Sequence, residues 1–217
     1  MTAKNITITD TIQKFILKGN NSYFDQRKEY SYITDSALFI QYDGNDSLYM
    51  HADTLFSSKD STNKGRLIRG WHHVKFYKYE LQGKCDSLSY STMDSLIRLY
   101  GSPALWSDKN QLTADYIQIH TTGQQANRID MNNSAFLINK EDSSKYNQIF
   151  GKNMIGYIKD NDIYRINVFG NAQTIYFPKD GDEYQGANKS ISSDLILYLR
   201  DGKVRKLNLI NNPEPVM

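Results

Sequence analysis

Apolar and polar residues alternate with a period of two along most of the chain. In the segment that begins at Leu48, the apolar side chains fall on even positions as far as Ala52. After Asp53 they resume at the odd position Leu55. A period of two places successive side chains on opposite faces of a strand, so the pattern predicts strands with one buried face. The sequence therefore predicts an all-β protein.

The change of phase at Asp53 predicts a bulge or corner, because a strand cannot shift its period-two pattern without an extra residue. The same shift follows Asp115, where Ala114 precedes Ile117. Corners that recur at matching points would fold a long sheet over on itself. We therefore expect a two-layered sheet with one apolar inner face.

Three landmarks recur and divide the chain into about five irregular repeats. The first is a turn rich in Gly and Asn, followed by small residues, at 19–23, 101–105, 132–136 and 170–172. The second is a four-residue motif: a small residue, then Asp or Asn, then any residue, then an apolar residue. It occurs at 52–55, 85–88, 114–117, 152–155 and 193–196. The third is an acidic turn before another alternating strand, at 94–99, 160–166 and 201–207. Each repeat is thus predicted to be a set of short strands joined by tight turns. Residues 89–100 could also form a helix, but the neighbouring repeats favour strands.

Composition supports this prediction and limits the function. Of 217 residues, 39% are hydrophobic and 23% charged, enough apolar content for the core of one large domain or two small ones. The net charge of +2 does not demand a nucleic acid or an anionic membrane as partner. Aromatic residues interleaved with Lys and Arg could bind single-stranded nucleic acid, but the near-neutral charge weakens that hypothesis.

The ends and the apolar runs of the chain bear on its compartment. No apolar run approaches the roughly 18 residues of a transmembrane helix. The start at 1–6 has no apolar segment behind its charge, so it is not a signal peptide. The chain is either cytosolic or a trimmed mature form, and the early onset of the repeat pattern favours trimming.

The residue types that carry catalysis are not arranged for it. There is no Gly-x-Ser-x-Gly elbow and no phosphate-binding glycine loop. The single cysteine, Cys85, occupies the small-residue position of the second landmark, so we expect it to pack in the core. Asp53, Asp86 and Asp115 recur at one point of each repeat, which favours turn and bulge chemistry over acid–base or calcium sites. We expect no enzyme, no metal site and no cofactor.

The ordered alternation of these landmarks resembles the OstA-like family. The resemblance is clearest at 48–55, 81–106 and 111–119, and its best single stretch is Leu-Tyr-Gly-Ser-Pro-Ala-Leu-Trp at 99–106 followed by Gln-Leu-Thr-Ala-Asp-Tyr-Ile at 111–117. It implies an antiparallel β-jelly-roll folded like a taco, without cofactor or catalysis, formed by a single domain over 1–217. The unequal repeats also fit a piece of a longer OstA-like chain.

The resemblance also implies a function. Family members hold the acyl chains of lipid A inside this fold and carry lipopolysaccharide across the periplasm to the outer membrane. They can associate end to end by edge-strand pairing. We therefore expect a periplasmic protein, associated with the outer membrane, whose partners are lipopolysaccharide or a related glycolipid, other OstA-like components and its own copies. The rival hypothesis is a structural or assembly module with a filled core that pairs its edge strands with partner proteins.

Candidate site residues follow from the strand phase and the family together. The predicted lining of the lipid groove is formed by Leu48, Met50, Ala52, Leu55, Leu81, Leu88, Leu112, Ala114, Ile117 and Ile119. A closed β-sandwich would place the same residues in a filled core. The predicted contacts to lipid phosphates are Lys64, Arg66, Arg69, Lys75 and Lys78, a basic stretch that contains no acid. The alternative for this stretch is a solvated face or an edge strand protected by Lys.

Overall fold

The computed structural model describes residues 2–11, 14–43, 46–59, 65–79, 81–91, 93–107, 109–122, 125–160, 162–181, 183–200 and 203–210. Within these residues every assigned element is a β-strand, and the strand pairs run antiparallel. The all-β, antiparallel prediction is confirmed. None of the described segments forms a helix of the length and apolarity that would cross a membrane.

The chain forms two compact units, residues 1–105 and 106–217. The strands of the first unit are β1 (Thr2–Asp10), β2 (Phe15–Asp25), β3 (Tyr30–Asp43), β4 (Asp46–Lys59), β5 (Arg66–Lys78), β6 (Leu81–Ser91) and β7 (Leu96–Tyr100). Each of β1 to β6 pairs with the strand that follows it in the chain. A short strand, β8 (Ala104–Ser107), contains the boundary between the units. The predicted single-domain organisation stays a prediction.

The second unit repeats this up-and-down order. Its strands are β9 (Asn110–Thr113), β10 (Tyr116–Thr122), β11 (Gln125–Lys140), β12 (Tyr146–Lys159), β13 (Asp162–Tyr176), β14 (Lys179–Asp180), β15 (Glu183–Tyr184), β16 (Asn188–Arg200) and β17 (Lys203–Ile210). The order of the main sheet is β10-β11-β12-β13-β16-β17, and β9 pairs with the second half of β11. The small hairpin β14–β15 pairs only within itself among the described strands.

Long strands are bent by pairs of consecutive residues in the left-handed region. These pairs, with φ between 51° and 75°, are Asp35–Ser36, His72–His73, Asn133–Ser134 and Gly170–Asn171. Each pair lies opposite a single residue of the neighbouring strand, so the register shifts there. The bulge predicted at Asp53 is confirmed, because this residue faces a left-handed pair in both of its neighbours.

Small buried residues line the bends. The cross-strand partners next to the left-handed pairs are Ala37 and Ala52, Val74 and Cys85, Ala135 and Gly151, and Ala172 and Ser192. All eight are buried. A Cβ atom added at Gly151 would lie 2.2 Å from Cγ1 of Val168, so the bend leaves no room for a side chain at this position.

The bend divides the strands of the first unit into two arms. We call the part that includes Tyr30–Thr34 of β3 arm A and the part that includes Ala37–Asp43 arm B. On β4 the buried residues are Met50 and Ala52 before the bend and Leu55 after it, so the phase of burial changes from even to odd positions across the bend. We call the side on which these buried residues lie the inner face and the opposite side the outer face.

The core of the second unit is filled. Its inner positions are closed by side chains such as Ile117, Met154 and Leu195, each fully buried. A cavity of about 20 Å³ remains between Ile149 and Leu207, which is room for about one water molecule.

Candidate functional site

The ten predicted lining residues all lie on inner positions, but in different parts of the fold. Leu48, Met50 and Leu81 lie in arm B, Ala52 at the bend, and Leu55 and Leu88 in arm A of the first unit. The other four belong to the second unit: Leu112, Ala114, Ile117 and Ile119. Eight of the ten are buried, whereas Leu48 and Leu81 are half-buried. Their role in lipid binding stays a prediction.

An apolar row that stays partly accessible to solvent crosses the inner face of arm B. Direct cross-strand partners form this row, which runs through Ile8, Leu17, Phe39, Met50 and Phe76 of β1 to β5. Met50 is buried, three of the others are half-buried, and the edge residue Ile8 is 46% exposed. We call these five residues the inner row.

The aromatic side chains of the inner row are held in place by local packing. Phe76 lies over Gly83, where an added Cβ would come within 2.1 Å of the phenyl ring. Phe39 packs against Phe15 of the neighbouring strand, with ring centroids 5.9 Å apart. Leu48 and Leu81 extend the apolar surface toward the tips of the arm. Arm B therefore presents a continuous apolar inner surface that its own side chains cover only in part.

Sequence reasoning missed five members of this surface: Ile8, Phe15, Leu17, Phe39 and Phe76. The alternation that would have identified them is present in the sequence. Phe15 and Leu17 alternate with polar or outer-face residues, as Leu48 and Met50 do. The missing information was the register between strands, which places Leu17 beside Phe39 and could not be obtained from repeats of unequal length.

The predicted phosphate contacts are not gathered in one place. Arg66 and Lys78 lie at opposite ends of β5. Arg69 lies on the outer face of arm A, where its guanidinium carbon is within 6.0 Å of the centroids of two aromatic rings. Lys75 lies on the outer face of arm B, and Lys64 falls outside the described residues. Arg66 and Lys78 lie at inner positions at the tips of arm A and arm B, and only Lys78, paired with Leu81, is in the arm that carries the inner row.

Polar side chains at the bends have a structural role. A carboxylate oxygen of Asp53 lies 2.8 Å from Nδ1 of His73, and one of Asp86 lies 3.2 Å from Nδ1 of His72. Asp194 accepts a hydrogen bond from the backbone N–H of Gly170 at 2.9 Å. The prediction of turn and bulge chemistry agrees with these contacts for Asp53 and Asp86, and for Asp115 it stays a prediction. Among the described residues no three metal-ligating side chains converge.

The thiol of Cys85 is buried in the core of the first unit. The side chain lies on the inner side of the bend opposite Val74. Loss of solvent raises the pKa of this thiol to about 12, because burial disfavours the thiolate. The predicted packing role is consistent with this environment.

Comparison with solved structures finds a similar chain in the crystal structure of LptH, the LptA homologous periplasmic component of the conserved lipopolysaccharide transport device from Pseudomonas aeruginosa. The two share 11% sequence identity with a TM-score of 0.46, over 61% of this chain and 95% of LptH. No family model and no curated protein matches the sequence. Membership of the OstA-like family stays a prediction, and the function proposed below rests on the geometry of arm B.

Proposed function

We propose that the inner face of arm B binds the acyl chains of lipopolysaccharide or a related glycolipid, and that the protein carries this lipid to the outer membrane without catalysing a reaction. The inner row supports this proposal most directly. Its side chains are apolar and point to the inside of the bend, yet most of them keep contact with solvent.

The size of the apolar surface suits an acyl chain. The inner row crosses five strands, and four spacings of about 4.8 Å give a length of roughly 19 Å. Each buried CH2 group contributes about 0.8 kcal/mol, so enclosing a twelve-carbon chain is worth on the order of 10 kcal/mol. A carrier must provide this surface without closing over it, and the partial exposure of Leu17, Phe39 and Phe76 meets that requirement.

The polar end of the lipid would lie at the arm tip. Lys78 is exposed there and pairs with Leu81, so an ammonium group stands at the end of the apolar surface. A charge-assisted hydrogen bond from Lys78 to a lipid phosphate would fix the direction in which the acyl chain enters. Among the other predicted phosphate contacts in the described part of the chain, Arg66 and Arg69 lie in arm A and Lys75 lies on the outer face, so they do not join this site.

Partners and location follow from the same proposal. A carrier of this lipid works in the periplasm next to the outer membrane. In the first unit, β1 pairs only with β2 among the described strands, so its other edge can accept a strand. Other OstA-like components or a second copy of the chain would bind at that edge.

Lipid capture tests the proposal. The protein is purified from a lipopolysaccharide-producing host, and its bound lipid is extracted and identified by mass spectrometry. The variant Phe39→Asp places a charge in the inner row and should reduce the captured lipid about tenfold or more, because it breaks the apolar surface. Phe150→Asp, an equally drastic change at a residue that is 39% exposed in the second unit, is the matched control.

Folding must be scored separately by circular dichroism and denaturant unfolding. A folded Phe39→Asp protein that captures as much lipid as the unchanged protein would contradict the assignment. The rival function, an assembly module that pairs edge strands, predicts a purified protein without bound lipid and an unaffected Phe39→Asp variant.

A further inference from the structure

The outer face of arm B carries a row of basic residues that the proposed lipid site does not use. Direct cross-strand partners on β2 to β6 form this row, which consists of Lys18, Leu38, His51, Lys75 and Lys84. The three lysines and the histidine are exposed. His51 donates from Nδ1 to the backbone carbonyl of Ala37 at 3.0 Å, which fixes its ring against the strand. We call this set the basic row.

Like charges in the basic row are placed side by side. Lys75 and Lys84 are direct partners in the ladder between β5 and β6. Two ammonium groups on the same face of neighbouring strands concentrate positive charge on the outer face of arm B. Within the described residues, Lys18 and Lys75 form no ion pair. The nearest carboxylates along these strands belong to Asp35, Asp53 and Asp86 at the bend. Asp35 contacts Asn21, and the other two contact histidines.

The next outer row is apolar and aromatic. It consists of Ile16, Ile40, Tyr49, Tyr77 and Gln82, again as direct cross-strand partners. Tyr49 and Tyr77 are 43% and 49% exposed, and Tyr79 beyond the end of β5 is 79% exposed. Tyrosine has an apolar ring and a polar hydroxyl, which suits the boundary between lipid headgroups and acyl chains. Ammonium groups and tyrosine rings therefore share one side of the sheet.

We propose that this outer face of arm B binds the surface of an anionic lipid bilayer. The lysines would contact lipid phosphates, while the tyrosines and the edges of the isoleucines would enter the headgroup layer. A single-stranded nucleic acid would also be attracted to the basic row. Its bases would need aromatic rings between the charges on which to stack, and here the rings form a separate row. The bilayer therefore fits the arrangement better.

This inference is independent of acyl-chain capture, because the inner and outer faces of arm B are formed by alternate residues of the same strands. Bilayer attraction is worth on the order of 1 kcal/mol per lysine close to the surface, so removing three lysines should weaken binding on the order of 100-fold.

Vesicle sedimentation tests the inference with the full chain. The protein should bind vesicles of mixed phosphatidylglycerol and phosphatidylcholine, bind pure phosphatidylcholine weakly, and dissociate as salt is raised. The triple variant Lys18→Gln, Lys75→Gln and Lys84→Gln should lose binding. The matched control replaces three exposed lysines of the second unit, Lys140→Gln, Lys152→Gln and Lys159→Gln, with the same change of net charge, and should retain it.

A second variant tests the tyrosines. Tyr49→Ser with Tyr77→Ser should weaken binding about tenfold while preserving its salt dependence, because it removes apolar contact and no charge. Equal binding to neutral vesicles, equal loss in both triple variants, or binding to oligothymidylate but not to vesicles would each overturn the inference. Lipid capture in the Phe39→Asp test does not depend on any of these outcomes.

Discussion

Residues in the left-handed region determine where the strands of this protein bend. Asn, Asp and Gly reach this region at low cost, whereas the two consecutive histidines of β5 cost on the order of 1 kcal/mol each. His73 and His72 offset part of that cost by contacts to Asp53 and Asp86. The small buried residues next to each pair then let the two arms of a strand approach each other.

Replacing Gly170 by Ala should test the left-handed requirement. Gly170 has a φ of +75°, and an added Cβ would lie 3.1 Å from Cβ of Lys152. We expect a loss of about 1 to 2 kcal/mol in the free energy of unfolding, measured in urea. Gly156→Ala is the control, since the nearest atom to its added Cβ is 3.9 Å away and its φ is ordinary. Equal stability of the two variants would contradict the role assigned to Gly170.

Replacing Ala37 by Leu should test the need for small residues at the bend. Ala37 is completely buried against Ala52, so a larger side chain has to displace the arms. Overpacking of this kind costs about 1 to 3 kcal/mol. Ala3→Leu, at an exposed position of β1, should change the unfolding free energy by a few tenths at most. A stable Ala37→Leu protein would show that the bend has spare room.

Cys85 should be inert toward thiol reagents in the folded protein. Its raised pKa, to about 12, leaves almost no thiolate at neutral pH, and the side chain is buried. Labelling with a maleimide should occur only after denaturant unfolds the chain. Rapid labelling under native conditions would contradict the burial of this residue.

At the scale of elements, the acidic turns hold hairpins together. In the β6–β7 hairpin, Asp94 accepts hydrogen bonds from the backbone N–H of Leu96 at 3.0 Å and from the Arg98 guanidinium at 2.5 Å. Burial alone would raise the pKa of Asp94, but these hydrogen bonds and the charge of Arg98 lower it overall. The hairpin is therefore stabilised by the ionised carboxylate.

Asp94→Asn should lower stability in a pH-dependent way. A carboxyl whose pKa is lower in the folded state stabilises the fold above its unfolded pKa, and that stability is lost as pH falls through the folded pKa. We expect a deficit of about 0.5 kcal/mol at pH 7, because Asp94 is 40% exposed. The deficit should begin to shrink as pH falls below about 4, the usual pKa of an unfolded aspartate, and should vanish once the carboxyl is protonated in the folded state as well. Asp162→Asn, an exposed aspartate at the start of β13, is the control, and a pH-independent deficit at Asp94 would contradict this account.

The sequence predicted most of the strands but not how they fit together. Alternation identified the strands around Met50 and Ile117, and the phase change located the bulge at Asp53, because both are local signals. The two weaker repeats deviate by one position. The residues opposite their left-handed pairs are Lys152 and Ser193, whereas the motif predicted Asn153 and Asp194, the next residues in the chain. Register, and with it the inner row, depends on pairing over long distances that unequal repeats do not specify.

At the scale of the whole chain, each unit has strands bent by left-handed pairs, but the interiors of the two units differ. The second unit buries most of its inner positions, and it also encloses a paired polar side chain. Asn147, which is 5% exposed, accepts from the backbone N–H of Phe177 at 3.0 Å and donates to Asn139. The first unit leaves the inner row partly open. Acyl binding should therefore be confined to the first unit.

The most direct test of this account is a photocrosslinking scan along β4 with a lipid whose acyl chain can be detected. A photoreactive amino acid is placed in turn at Leu48, Tyr49, Met50 and His51, which alternate between the inner and outer faces of arm B. The account predicts adducts with the acyl chain at Leu48 and Met50 and few at Tyr49 and His51. Equal crosslinking at all four positions, or crosslinking from the outer positions alone, would contradict it.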